Sequence, residues 1–81
     1  MSMSPTGDKG QRYEVSAFNY PMEGETCVIG WVDRIDGAER MAKAIALAPS
    51  CVSWTIRDRW NATPEWPDGK YTQMVGARGL R

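Results

Sequence analysis

The chain has 81 residues, enough for one domain and too few for two. With 42% hydrophobic and 25% charged residues it can build a core, which excludes disorder along its whole length. Ten basic and ten acidic residues give a formal charge of zero, so no overall field draws in nucleic acid or an anionic membrane.

Met1 to Gln11 combine Ser, Pro, Gly and charge without apolar periodicity and read as a flexible N-terminal arm, residues 1–11. A single domain is expected over residues 12–75, with a flexible tail over 76–81. From Arg12 to Tyr20 the string RYEVSAFNY is rich in β-formers, with Tyr13, Val15 and Ala17 on one face and Phe18 and Tyr20 on the other. Pro21 to Thr26 (PMEGET) has the chemistry of a hairpin loop. The second strand, Cys27 to Ile35, places Ile29 and Trp31 on one face and Val28 and Val32 on the other. A strand apolar on both faces is usually covered on both.

Asp36, with Glu39 three positions later, predicts a capped helix start in which Asp36 accepts from first-turn amides. Ala38, Met41, Ala42, Ile45 and Ala48 then follow helical spacing, with Glu39, Arg40 and Lys43 pointing away. Pro49 sets the end near Leu47. From Cys51 to Trp60 strict alternation returns, with Val52, Trp54 and Ile56 inward and Ser53, Thr55, Arg57 and Arg59 outward. A Pro-rich loop containing Asp68-Gly69 follows, and Tyr71 to Val75 reads as a short edge strand. The expected fold is α+β: a small antiparallel β-sheet in the order β-β-α-β with a fourth short strand, and one helix packed on one face. Met41, Ile45, Trp54, Ile56 and Val15 are its expected core.

The missing residues narrow the chemistry. The chain has no histidine, which removes Ser-His-Asp and Cys-His arrangements and the side chain most used for proton transfer near neutral pH. Two cysteines without histidine make no usual four-ligand zinc site, and none of the eight glycines forms a dinucleotide or phosphate-loop pattern. Neither a metal nor a cofactor is expected, and the chain reads as a non-enzyme. Glu23 and Glu25 are paired carboxylates, but on a solvated loop. No leading apolar segment and no membrane-length apolar run is present, so the expected location is cytoplasmic. Cys27 and Cys51 are then expected as thiols. If the third strand pairs with the first, a middle strand keeps them about 9–10 Å apart, too far for a disulfide, whereas a third strand parallel beside the second would bring them to bridging distance; free thiols are the expectation.

Candidate binding residues come from the aromatic and charge pattern. Of the four tryptophans, Trp54 and Trp31 read as core. Trp60 and Trp66 flank a polar loop, where they either lid the sheet or face a partner. Arg57, Arg59, Trp60, Trp66, Lys70 and Tyr71 interleave basic and aromatic residues, which suits a protein partner and also single-stranded nucleic acid. Tyr20, Met22, Glu23 and Glu25 form a second candidate, an apolar anchor beside carboxylates. Six acids stand against one base from Glu14 to Glu39, and five bases against three acids from Arg57 to Arg81. Such runs are ordinarily solvated faces. In size and style the chain is similar to small phage and mobile-element proteins that occlude a host protein, a likeness that transfers no site residue. The leading expectation is a protein-binding module, an inhibitor or accessory protein. The alternatives are a single-strand nucleic-acid binder and a subunit of a symmetric homo-oligomer.

Overall fold

The computed structural model describes residues 7–8 and 10–76, the last three through their backbone. Most of the arm expected over 1–11, and the tail beyond residue 76, lie outside the described residues. The chain runs β1 (Tyr13–Phe18), β2 (Thr26–Val32), α1 (Ile35–Ala46), β3 (Ser53–Asp58) and β4 (Lys70–Gly76). All four strands form one antiparallel sheet in the order β2-β1-β3-β4, with α1 packed on one face. This is the α+β architecture that the hydrophobic pattern predicts. Among the described residues no helix is long and apolar enough to cross a membrane.

Alternation in β1 and β3 fixes the two faces. Tyr13, Val15 and Ala17 of β1 and Trp54 and Ile56 of β3 are buried beneath Ala38, Ala42 and Ile45 of the helix. The small alanines let α1 approach the sheet closely, while Ile45 fills the space near its end. Cys51 is fully buried in the same cluster. Val52, expected inward, is 44% exposed. Its N–H donates to the Phe18 carbonyl at 3.1 Å where the chain is only entering the sheet, and Cys51 takes the inward place.

A bulge in β2 explains why its apolar residues do not alternate. Val15 pairs with Gly30 but Ser16 pairs with Val28, so Ile29 is an extra residue and the side-chain phase reverses across it. Val28 and Trp31 therefore share the helix-free face, opposite Ser16 and Glu14, while Ile29 and Val32 pack toward the core. This corrects both the expected grouping and the core assignment of Trp31, which is half-buried on the other face.

The helix begins two residues earlier than predicted, and Asp36 is not its cap. Arg34 occupies the N-cap position with no side-chain cap bond. Asp36 Oδ1 accepts from Arg34 Nε at 3.3 Å and from the Gly37 N–H at 3.0 Å. These contacts, Arg34 foremost, lower the Asp36 pKa below the ordinary carboxylate value. Glu39 does not point away: it is half-buried and accepts from Gln73 Nε2 at 2.6 Å, tying the helix to β4.

Two special backbone positions close the connections. Asn19 has φ 70, a left-handed value that Asn tolerates better than most residues. Its side chain accepts from the Gly24 N–H and donates to the Ser50 carbonyl, joining the first hairpin to the segment after the helix. Gly69 has φ 114, and a Cβ there would lie 2.5 Å from the Asp58 carbonyl oxygen, so the β3–β4 loop needs glycine at this point. Cys27 sits opposite Ala17 of β1, and β1 separates it from β3; the two cysteines are not bridged.

Candidate binding face

The face opposite the helix carries the candidate site. Cross-strand pairing places Glu14, Ser16 and Phe18 of β1 beside Thr26, Val28 and Trp31 of β2, and beside Ser53, Thr55 and Arg57 of β3. Tyr71 of β4 pairs with Arg57 and extends the row. The pleat thus sends hydroxyls, aromatics and one ion pair to the same side.

A ladder of contacts crosses this face through all four strands. Trp31 Nε1 donates to Glu14 Oε2 at 3.1 Å. Glu14 Oε1 lies 4.0 Å from Arg57 Nε, which is buried and makes no hydrogen bond among the described residues. Arg57 Nη2 donates to the Tyr71 hydroxyl, and the guanidinium lies over the Tyr71 ring at 4.5 Å from its centroid. Trp66, from the β3–β4 loop, meets Tyr71 edge to face at 5.5 Å. Asp68 Oδ2 approaches Arg57 Nη1 at 3.9 Å from the same loop. Beside the ladder lies an open cleft of about 440 Å³ lined by Glu14, Arg57, Arg59, Pro67 and Asp68.

The loop that carries Trp66 is tied to itself. Thr63 and Trp66 exchange backbone N–H donations at 3.1 and 3.0 Å, the Trp66 N–H also donates to Thr63 Oγ1 at 3.1 Å, and the Gly69 N–H donates to the Trp66 carbonyl at 3.0 Å. The Lys70 N–H closes the loop base on the Asn61 carbonyl at 3.1 Å. Trp66 is 38% exposed on this support, neither buried as a lid nor fully free.

Of the six residues that the sequence singles out, the structure brings three together: Arg57, Tyr71 and Trp66. Arg59 lines the adjoining cleft, and its Nη1 donates to the Gln11 carbonyl at 3.1 Å. Lys70 pairs with Asp58, whose side chain is buried on the helix side, so Lys70 belongs to the opposite face. Trp60 also stands apart. Its ring is 5.8 Å from the Arg12 guanidinium, which is 5.1 Å from the Tyr13 ring and donates to Asp58 through Nε and Nη2, both at 2.9 Å. Arg12, first of all, draws the buried Asp58 carboxyl below its ordinary pKa, aided by the Trp60 N–H at 3.1 Å and opposed by burial. This clasp holds the fold rather than the candidate face.

Glu14 and Trp31 are the members that sequence reasoning missed as site residues. The alternation that buries Tyr13 and Val15 turns Glu14 outward at mid-strand, so its position was readable. That of Trp31 was hidden by the bulge. The second candidate is intact as a loop: Met22, Glu23 and Glu25 are exposed, while Tyr20 packs against the core. No family model, no curated protein and no solved structure matches the chain.

Proposed function

We propose that this chain is a non-enzymatic protein-binding module that docks its partner on the helix-free sheet face, as an inhibitor or accessory protein acting by occlusion. One observation carries the reading: the Trp31–Glu14–Arg57–Tyr71–Trp66 ladder lies on a face that no other described element covers. Tryptophan, tyrosine and arginine supply most of the energy at protein interfaces, through large contact area combined with directed polar groups. The charges favour a protein over nucleic acid. Arg57 faces Glu14 and Asp68, and Arg59 donates to Gln11, so the face presents mixed polarity and aromatic area, not a positive groove for phosphates.

The test is a photo-crosslinking amino acid at Thr55, central on the open face, with the same group at Arg40 on the exposed side of the helix as control. Expression in the host should give a protein adduct from position 55 and none from position 40. With that protein purified, Trp66→Ala should weaken binding by about 1–3 kcal/mol while the melting temperature moves little. Adducts from both positions or from neither, or full affinity in Trp66→Ala, would remove the support. Affinity that falls by orders of magnitude with modest added salt would assign the face to nucleic acid instead.

A further inference from the structure

The cleft beside the ladder is lined by two guanidiniums and two carboxylates, those of Arg57, Arg59, Glu14 and Asp68, and by Pro67. The course of β3 explains why the two cations share it. Arg57 and Arg59 stand on either side of Asp58, which is buried on the helix side, so alternation turns both toward the open face. The Arg59 N–H donates to the Arg12 carbonyl at 2.8 Å, which continues the pairing just past the strand end. Residues two apart on a strand are separated by about 7 Å, close enough for one small group to touch both side chains.

Arg57 is held firmly but bonded poorly. Nη2 donates to the Tyr71 hydroxyl and the guanidinium lies over the Tyr71 ring, which together fix its plane. Nε lies 4.0 Å from Glu14 Oε1 and Nη1 lies 3.9 Å from Asp68 Oδ2, both too long for hydrogen bonds. Among the described residues neither nitrogen makes a hydrogen bond. The two carboxylates differ in how they are held. The Glu14 side chain is 20% exposed and is anchored by Trp31 Nε1. That of Asp68 is 86% exposed, on a loop whose backbone is tied between Asn61 and Lys70, Thr63 and Trp66, and Trp66 and Gly69. Asp68 can therefore swing off Arg57 by side-chain rotation while the loop stays in place.

We infer that this cleft is a carboxylate site in which Asp68 stands in loosely for an aspartate or glutamate of the partner, which displaces it and accepts from Arg57 Nη1 and the Arg59 guanidinium. Arg59 has five N–H donors and can keep its bond to the Gln11 carbonyl. The inference rests on the proposed function for the source of the carboxylate, and on the cleft alone for its chemistry. Hydrogen bonding makes the selection, since the charges lining the cleft balance. A carboxylate matches the guanidinium fork in shape and brings a single charge. A phosphate brings a larger charge against Glu14, which stays in place. A cation would find only the exposed Asp68, and a surface pair of that kind contributes little.

The probe is a short synthetic peptide of glutamate alternating with serine, compared with its glutamine counterpart and with inorganic phosphate. Each is titrated into the full chain while NMR follows the backbone amides and the arginine Nε–H signals. The glutamate peptide should bind saturably, shift the signals of Arg57, Arg59 and Asp68, and bind about tenfold tighter than the glutamine peptide or phosphate. Asp68→Asn should tighten it by about threefold, because the internal competitor is gone. Glu65→Gln removes the same charge from an exposed position on the same loop and should leave the affinity unchanged. Arg59→Gln should weaken it by about tenfold. The gain in Asp68→Asn cannot come from unfolding, and the same spectra report the fold of each variant. A glutamine peptide or phosphate that binds as well, shifts confined to other surfaces, or equal effects of Asp68→Asn and Glu65→Gln would each overturn the inference. The two readings fail separately. A protein crosslinked from position 55 that binds Asp68→Asn no tighter than wild type would overturn the inference and leave the proposed function standing. Peptide binding in the cleft with no adduct from position 55 would support the carboxylate site and count against the proposed function.

Discussion

Asp58→Asn isolates the clasp between the start of β1 and the end of β3. Asp58 is 5% exposed and accepts both Arg12 donors at 2.9 Å, together with the Trp60 N–H at 3.1 Å. Asparagine keeps the volume but cannot accept the planar fork with both oxygens. A lost charge-assisted hydrogen bond costs about 1.5–3 kcal/mol. The Arg12 side chain is 41% exposed and can turn to water, so the cost should stay near about 2 kcal/mol, below that of breaking a fully buried pair. In a domain of this length that corresponds to a fall in melting temperature of about 8–16 °C. The pH dependence has a definite sign. Because the folded carboxyl is depressed below the unfolded value of about 3.9, its contribution is complete above that value and is lost as pH falls through the folded pKa. The raised Arg12 pKa works in the other direction, its contribution being lost only in strong base. Thermal denaturation followed by circular dichroism should therefore show wild type and Asp58→Asn well separated at neutral pH and converging in acid. Parallel curves down to about pH 2, or a neutral-pH difference below about 0.5 kcal/mol, would refute this account of the clasp.

Trp54→Ala should cost about 3–5 kcal/mol in urea denaturation, since it empties a large volume beneath the helix; a loss under about 1 kcal/mol would contradict the packing. Gly69→Ala should destabilise by about 1–3 kcal/mol, because its Cβ would meet the Asp58 carbonyl at 2.5 Å with φ at 114, and unchanged stability would show that the loop relaxes freely. Thiol titration of unreduced protein should find Cys27, which is partly exposed, reacting quickly and Cys51 only on unfolding, two thiols in all. Fewer than two after unfolding would mean that a disulfide forms.

The parts of the fold carried by local alternation were legible in the sequence. Val15 and Ala17, Trp54 and Ile56, and the Ala38–Ala42–Ile45 stripe alternate or repeat at the period of their element, and each lies where that period puts it. The misread features depend on residues distant in the chain. The Ile29 bulge is a matter of register between two strands, so β2 alone gives no phase from which to place Trp31. Arg12 and Asp58 are separated by 46 positions, and only strand pairing shows that Trp60 follows this clasp and leaves the aromatic row. The same pairing shows that Glu39, expected in solvent, meets Gln73 across the helix–sheet boundary. On the candidate face the outward turn of Arg57 was readable, whereas its junction with Glu14 and Tyr71 required the order β2-β1-β3-β4.

That strand order also separates the residues that hold the fold from those that the proposed function assigns to a partner. The helix takes one face, and its contacts with Val15, Ala17, Trp54 and Ile56 supply the apolar burial that a domain of this length needs. The other face is free to carry side chains that tolerate both water and contact: the hydroxyls of Ser16, Thr26, Ser53 and Thr55 between aromatic rings and one ion pair. Such a face is stable exposed, because apart from Val28 its pleat positions without an aromatic carry groups that bond to water, and it remains adaptable when covered. Its aromatic anchors are also held in place before binding. Tyr71 is fixed by Arg57, and Trp66 by a loop whose backbone bonds join Asn61 to Lys70 and Thr63 to Trp66, so little further ordering is left for a partner to impose. Preorganisation of this kind lowers the entropic cost of association, which is how a small domain binds tightly through few residues. Under the proposed function, the aromatic residues would therefore act as a rigid platform, not as a segment that folds on its partner.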